Sequence, residues 1–196
     1  MISEAHFHAL AKQGYNRIPL VREVLADLDT PLSAYLKVVR GPFAYLFESV
    51  QGGEQWGRYS IIGLPARERL EVRAGEVQVF VDDTLTERCR PADPLDWIRA
   101  YHRRFRVPQS EDVAGRFAGG LVGYFGFDTV RYIEPRLQRA PRLPDPLDLP
   151  EIQLLVAQEL LVFDNLRGTL RIIVHADPAE RHAYERARAR VEALAA

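Results

Sequence analysis

Glu48 and Ser49, a carboxylate and a hydroxyl, stand at the end of an apolar run that begins Pro42-Phe43-Ala44-Tyr45-Leu46-Phe47. Arg58 follows just past a glycine corner, Gln51-Gly52-Gly53. Burying a carboxylate and a hydroxyl is costly unless both find partners. A strand, a flexible corner and a second strand resuming at Tyr59-Ser60-Ile61-Ile62 would let Arg58 fold back to face the pair. Two readings stand. One is a structural ion pair near a sheet corner. The other is an amino-acid site, in which an α-ammonium meets the carboxylate and an α-carboxylate meets a cation or backbone N–H groups. Phe43, Tyr45 and Phe47 would then help to form a hydrophobic floor for the ligand's side chain.

The remaining candidates point to ordinary roles. His6 and His8 sit two apart on a predicted helix, where they share no face, so they do not make a metal pair. His102, His175 and His182 are scattered. Cys89, between Arg88 and Arg90, has no histidine or second cysteine nearby in sequence and reads as a plain thiol. The run Gly119-Gly120-x-x-Gly123-x-x-Gly126 lacks phosphate-loop spacing and looks like a strand, so its glycines mark close packing or a bend. Arg181, Arg186, Arg188 and Arg190 alternate with Glu180, Glu185 and Glu192, which fits a solvated helix face and not a nucleic-acid surface. No Ser/His/Asp set, metal cluster or spaced acid pair suggests catalysis.

The elements that position these residues read as follows. A helix over 3–13 starts at Ser3 and stops at Gly14. Residues 15–26, with Pro19, form an edge or irregular strand. A helix over 31–40 is capped by Thr30, with Leu32, Leu36 and Val39 on one face. The two strands of the Pro42–Gly63 stretch come next. Residues 68–73 and 76–82 pair around Ala74-Gly75 as a hairpin. An amphipathic helix spans 93–106, with Pro94 in its first turn and Leu95, Ile98, Tyr101 or His102, and Phe105 along one side. After a polar connector at 107–115 comes a glycine- and aromatic-rich strand at 116–127. Five prolines make 134–150 an extended surface loop. Strands at 151–164 and 169–175, joined near Asn165 to Gly168, form a second hairpin. A final helix is capped by Asp177, with Pro178 in its first turn, Glu180 closing a capping box, and Tyr184, Ala187, Val191 and Leu194 on one face. It runs to Ala196 without a C-cap, which suggests a longer natural chain.

Hairpins with a few separate helices indicate an α+β fold of largely antiparallel sheets with flanking helices. The 196 residues and 47% hydrophobic content suit a single domain, and no boundary stands out. A net charge of −1 gives no pull toward nucleic acid or anionic membrane. One cysteine allows no internal disulfide, no apolar run is long enough to span a membrane, and the N-terminus is no secretion signal. A cytoplasmic setting is the expectation.

The stretch Phe47 to Gly63, with its Gly-Gly-Glu-Gln-Trp-Gly-Arg-Tyr-Ser core, resembles the N-terminal portion of the anthranilate synthase component I family. Three other stretches agree in order: Asp29-Thr30-Pro31-Leu32-Ser33-Ala34-Tyr35-Leu36-Lys37, Gly119 to Asp128 with Arg131-Tyr132-Ile133-Glu134, and Leu161-Val162-Phe163-Asp164. The resemblance covers essentially the whole chain. It implies the N-terminal half of the chorismate-utilising enzyme fold, residues 1–196 being a single regulatory domain. The family converts chorismate to anthranilate with ammonia from a glutamine amidotransferase partner, and needs Mg²⁺. Its catalytic and metal-binding residues lie in a C-terminal half that is absent here, so the segment is expected to be non-catalytic and to hold no cofactor. A Leu-Leu-Glu-Ser motif in the family helps to bind L-tryptophan as feedback inhibitor. It reads Leu46-Phe47-Glu48-Ser49 here, and Arg58 is the nearest equivalent of a lysine lining that site in some members. The resemblance thus implies a tryptophan site of Glu48, Ser49 and Arg58. The alternatives are the matching domain of the aminodeoxychorismate synthase subunit, or a free-standing amino-acid-binding module. Apolar surface left by the missing half also leads to an expectation of homo-oligomers or poor solubility.

Overall fold

The computed structural model describes residues 1–50, 56–108, 117–138 and 145–196. The Gln51-Gly52-Gly53 corner, most of the 107–115 connector, and Pro141 and Pro144 of the proline-rich stretch lie outside the described residues. In chain order the elements are α1 (Glu4–Lys12), β1 (Ile18–Leu25), α2 (Pro31–Val38), β2 (Tyr45–Val50), β3 (Trp56–Gly63), β4 (Glu68–Arg73), β5 (Glu76–Val81), β6 (Thr84–Cys89), α3 (Pro94–His102) and β7 (Gly120–Phe125). A 3-10 turn at Phe127–Thr129 leads into α4 (Val130–Ile133) and α5 (Pro135–Gln138). Then come β8 (Ile152–Ala157), β9 (Glu159–Asp164), β10 (Thr169–Ala176) and α6 (Ala183–Ala195). The α+β reading holds. There are two five-stranded sheets, ordered β1-β10-β9-β3-β2 and β6-β5-β4-β8-β7.

The chain groups into two compact units. One comprises Met1–Ala66, Phe105–Gly120 and Ala157–Ala196, the other Arg67–Arg104 and Leu121–Val156. Neither is continuous in sequence, which is why composition along the chain shows no boundary between them.

In the first unit, β10 is the sheet's spine, pairing with β1 from Ile18↔Ala176 to Leu25↔Thr169 and with β9 from Thr169↔Asp164 to Val174↔Glu159. Pro19 sits on the edge strand opposite His175, in an unbroken ladder, so β1 is an edge strand as expected and is regular. Phe7 of α1, Ala34 of α2 and Val191 of α6 are buried in one cluster with Ile62, Leu161 and Ile172 of the sheet. Local chemistry sets the helix starts. Ser3 Oγ accepts from the His6 N–H. Thr30 and Ser33 form a reciprocal capping box, with Ser33 in the position where glutamate is usual. The Asp29 carboxylate accepts from Lys37 Nζ at 2.6 Å and Ser33 Oγ at 2.7 Å, and these bonds lower its pKa.

Three expectations need correction. The packed face of α2 carries Ala34, Tyr35 and Val38, whereas Leu32 and Leu36 are 53% and 64% exposed. The 151–164 run is two strands that serve different sheets, β8 and β9, with the break at Gln158. The final helix starts at Ala183. Asp177 does not cap it but accepts from Arg17 and from the Ala179 N–H, closing a local turn, and His182 has a left-handed φ of 52°. Once formed, α6 uses the expected face: Ala187 and Val191 are buried, and Tyr184 and Leu194 pack against the core.

In the second unit, β4 pairs with β5 and β8, and a third strand that the sequence reading missed, β6, extends the hairpin. The β4–β5 turn uses left-handed Ala74 and Gly75. α3 is capped by Asp93, whose carboxylate accepts from the Leu95 N–H at 2.7 Å. It ends at His102, so Phe105 is not part of it. Part of the proline-rich stretch is helical, α5, with Pro135 as its first residue.

Candidate functional site

Glu48 and Ser49 lie on β2, at an edge of the first unit's sheet. β2 pairs with β3 from Tyr45↔Gly63 through Glu48↔Ser60, and the ladder then jumps to Val50↔Trp56. Ser49 alone therefore faces Gly57, Arg58 and Tyr59, a bulge carried by β3. Bulges raise local twist and re-aim side chains. Alternation along β2 sets Leu46 and Glu48 on one face and Tyr45 and Phe47 on the other. Leu46 packs on the core, while the Tyr45 and Phe47 rings meet at 4.9 Å. The expected floor residues Tyr45 and Phe47 thus lie together on the face opposite Glu48, and Leu46 is the apolar neighbour on Glu48's own side. Burial pushes the Tyr45 phenol well above its usual pKa.

Glu48 and Ser49 are exposed, and among the described residues neither side chain has a hydrogen bond or ion pair. Arg58 does not turn back to them. Its Nη2 donates to Asp164 Oδ2 at 2.9 Å and its Nε lies 3.3 Å from both carboxylate oxygens. The guanidinium also lies over the Tyr59 ring, 4.9 Å from its centroid. The preference has a physical cause. Asp164 is 2% exposed, and a buried carboxylate requires a counter-charge. Burial acts to raise its pKa, but bonds from Arg58 and from the backbone N–H groups of Arg167 and Leu166 outweigh it, leaving the carboxyl below its ordinary range. The Arg58 pKa is raised in turn, chiefly by the bond to Asp164.

Two residues beside the pair escape sequence reasoning. Asn165, taken from sequence as a turn residue, donates from Nδ2 to the Gly57 carbonyl at 3.0 Å and to Ser60 Oγ at 3.3 Å. Its backbone N–H donates to the Arg58 carbonyl at 2.8 Å. Gly57 presses on Ser49 so closely that an added Cβ would lie 1.9 Å from the Ser49 carbonyl oxygen. The glycine in Trp-Gly-Arg-Tyr-Ser was the visible signal; nothing in the sequence flagged Asn165.

The other candidates have structural explanations. A Cβ on Gly123 would lie 1.9 Å from the Gln153 carbonyl oxygen, and one on Gly126 2.9 Å from that of Glu151, so this run serves close packing, as expected. Arg186 pairs with Glu180, and Arg190 with Glu159 at 2.8 Å, in keeping with a solvated face. Burial pushes the Cys89 thiol up, against a reactive role. Burial holds His175 below its usual pKa, with Nε2 on the Ala118 carbonyl at 2.5 Å. Among the described residues no three His, Cys, Asp or Glu side chains converge as a metal site requires, and no helix is long and apolar enough to cross a membrane.

No family model matches the chain. Curated proteins do. It is 53% identical over 193 residues to anthranilate synthase component 1 of Pseudomonas aeruginosa, covering 98% of this chain and 39% of that protein. Its counterpart in Neisseria meningitidis is 49% identical over 195 residues, with the same shares. That of Aquifex aeolicus is 36% identical over 179 residues, covering 90% of this chain and 35% of the relative. Among solved structures, the crystal structure of anthranilate synthase component I from Streptococcus pneumoniae matches 88% of this chain and 36% of that one, with a TM-score of 0.53 at 19% identity. The chain therefore spans about two fifths of the length of the curated relatives it matches, 39% for the first two.

Proposed function

We infer that this chain, which belongs to the anthranilate synthase component 1 family over the 39% of that protein's length that it spans, carries the regulatory amino-acid site of the enzyme. L-tryptophan occupies it as feedback inhibitor. The intact protein converts chorismate to anthranilate in the cytoplasm, with ammonia from a glutamine amidotransferase partner. The chemistry and its Mg²⁺ are assigned to the part of the relatives beyond this chain.

One observation carries the reading. The other resemblance stretches all include residues with internal work. Asp29, Thr30 and Ser33 cap a helix; Gly123 and Gly126 allow a close strand approach; Arg131 pairs with Asp128; Asp164 holds Arg58 and a turn. Among the described polar residues of these stretches, Glu48 and Ser49 are the exposed ones whose side chains make no hydrogen bond. A carboxylate accepts from an α-ammonium and a hydroxyl donates to an α-carboxylate, so the pair suits a zwitterion. In this reading Arg58, held by Asp164, is the candidate cation for the ligand's carboxylate.

The test is calorimetric titration of the intact protein with L-tryptophan, alongside Ser49→Ala. Saturable binding lost in the variant is expected. A folded wild-type protein that takes up no tryptophan would overturn the reading.

A further inference from the structure

We propose that Asn165 is a positioning residue for the amino-acid site: its side-chain amide holds the β3 bulge against Ser49 and so sets the geometry in which Glu48 and Ser49 meet a ligand's charged groups. The proposal rests on the reading of that pair as an amino-acid site.

A bulge sacrifices ladder bonds, so its backbone must be held by other means. Three residues of β3 face one of β2 here, between the Glu48↔Ser60 and Val50↔Trp56 pairings. Asn165 fastens this segment from the β9 side. Its Nδ2 reaches Gly57 O and Ser60 Oγ, on either side of the Arg58-Tyr59 step, and its backbone N–H takes Arg58 O between them. Ser60 is 2% exposed, and its buried hydroxyl needs such a partner. On the opposite side Gly57 lies against Ser49, with no room for a Cβ. A shift of the Gly57 backbone is therefore transmitted to Ser49 by direct contact. The chain of contacts runs from Asn165 to Gly57 to Ser49, and no member of it but Ser49 meets the ligand.

The experiment measures tryptophan affinity by calorimetry and thermal midpoint by calorimetric melting, on the intact protein. The variants are Asn165→Ala, Asn165→His and Ser49→Ala. Histidine places an Nδ1–H donor at about the same reach as the asparagine amide. The expected result is an affinity about tenfold weaker in Asn165→Ala, the scale of one lost hydrogen bond, and recovery to within about threefold of wild type in Asn165→His. If Asn165→Ala does not fold, Asn165→Asp, which keeps the shape but not the donor, takes its place with the same expectation. Wild-type binding, lost in Ser49→Ala but within about twofold in Asn165→Ala, overturns this proposal and leaves the amino-acid site standing. Equal weakening in the alanine and histidine variants, tracking a common drop in midpoint, reduces Asn165 to a structural role and also overturns it. Absence of wild-type binding overturns both.

Discussion

The glycine-rich run of β7 supports a graded prediction. In Gly123→Ala the new Cβ would lie 1.9 Å from the Gln153 carbonyl oxygen. An ordinary carbon–oxygen contact in a sheet is about 3.3 Å, so the strands must part by about 1.4 Å. The obstructing atom is backbone of β8, which cannot rotate away. A gap of that size removes backbone hydrogen bonds worth about 1 kcal/mol each, and overpacking adds about 1–3 kcal/mol. A destabilisation of at least about 3 kcal/mol follows. Gly126→Ala meets Glu151 O at 2.9 Å and needs a shift of only a few tenths of an ångström, so about 1 kcal/mol is expected. Gly41→Ala meets nothing within 4 Å but must hold a φ of 101°, a cost of about 1–2 kcal/mol from the backbone alone. Urea denaturation of the three variants, with the m value checked for constancy, reads the order. A loss below about 1 kcal/mol for Gly123→Ala, or a larger loss for Gly41→Ala than for Gly123→Ala, would refute the packing argument.

Phe7 is 1% exposed, and Phe7→Ala should cost about 3–5 kcal/mol by the same measurement. His175 is held neutral by burial, so its folded pKa lies below that of the unfolded chain. Its contribution is complete above about pH 6.5 and is lost as pH falls through the folded value. Stability should therefore decline on acidification below that pH, and His175→Gln should flatten the decline; an unchanged slope contradicts it. Leu32 and Leu36 present apolar surface one helical turn apart, and Leu36→Lys should reduce concentration-dependent association in sedimentation if that surface drives it.

Local chemistry was the legible layer of this sequence. The caps at Ser3 and Thr30, the Ala74-Gly75 turn and the hydrophobic period of α6 all depend on residues within a turn or two of one another. Features set by distant partners stayed hidden. Asp177 carries every mark of an N-cap, but Arg17, 160 positions away, recruits its carboxylate. Arg58 appeared free to serve Glu48 and Ser49, and a buried Asp164 across the sheet takes it instead. The split of 152–164 into β8 and β9 is marked only by the polar pair Gln158-Glu159 in a run otherwise dominated by Leu and Val, too slight a signal to separate strands of two different sheets. Likewise Glu48-Ser49 was visible as residue types, whereas the bulge that presents Ser49 and the Asn165 amide behind it arise only when β3 lies between β2 and β9.

The pairing of β1 with β10 has a consequence for the time course of synthesis. Arg17 and Asp177, flanking that ladder, are 160 positions apart. At about 5–20 residues per second, roughly 8–32 s separate their emergence from the ribosome. Through that interval β1 has no strand partner, and Ile18 and Leu20, wholly buried at the end, must be kept from other chains. The first unit thus cannot close its sheet until β10 has emerged, although Met1–Ala66, more than half of that unit, is made well before.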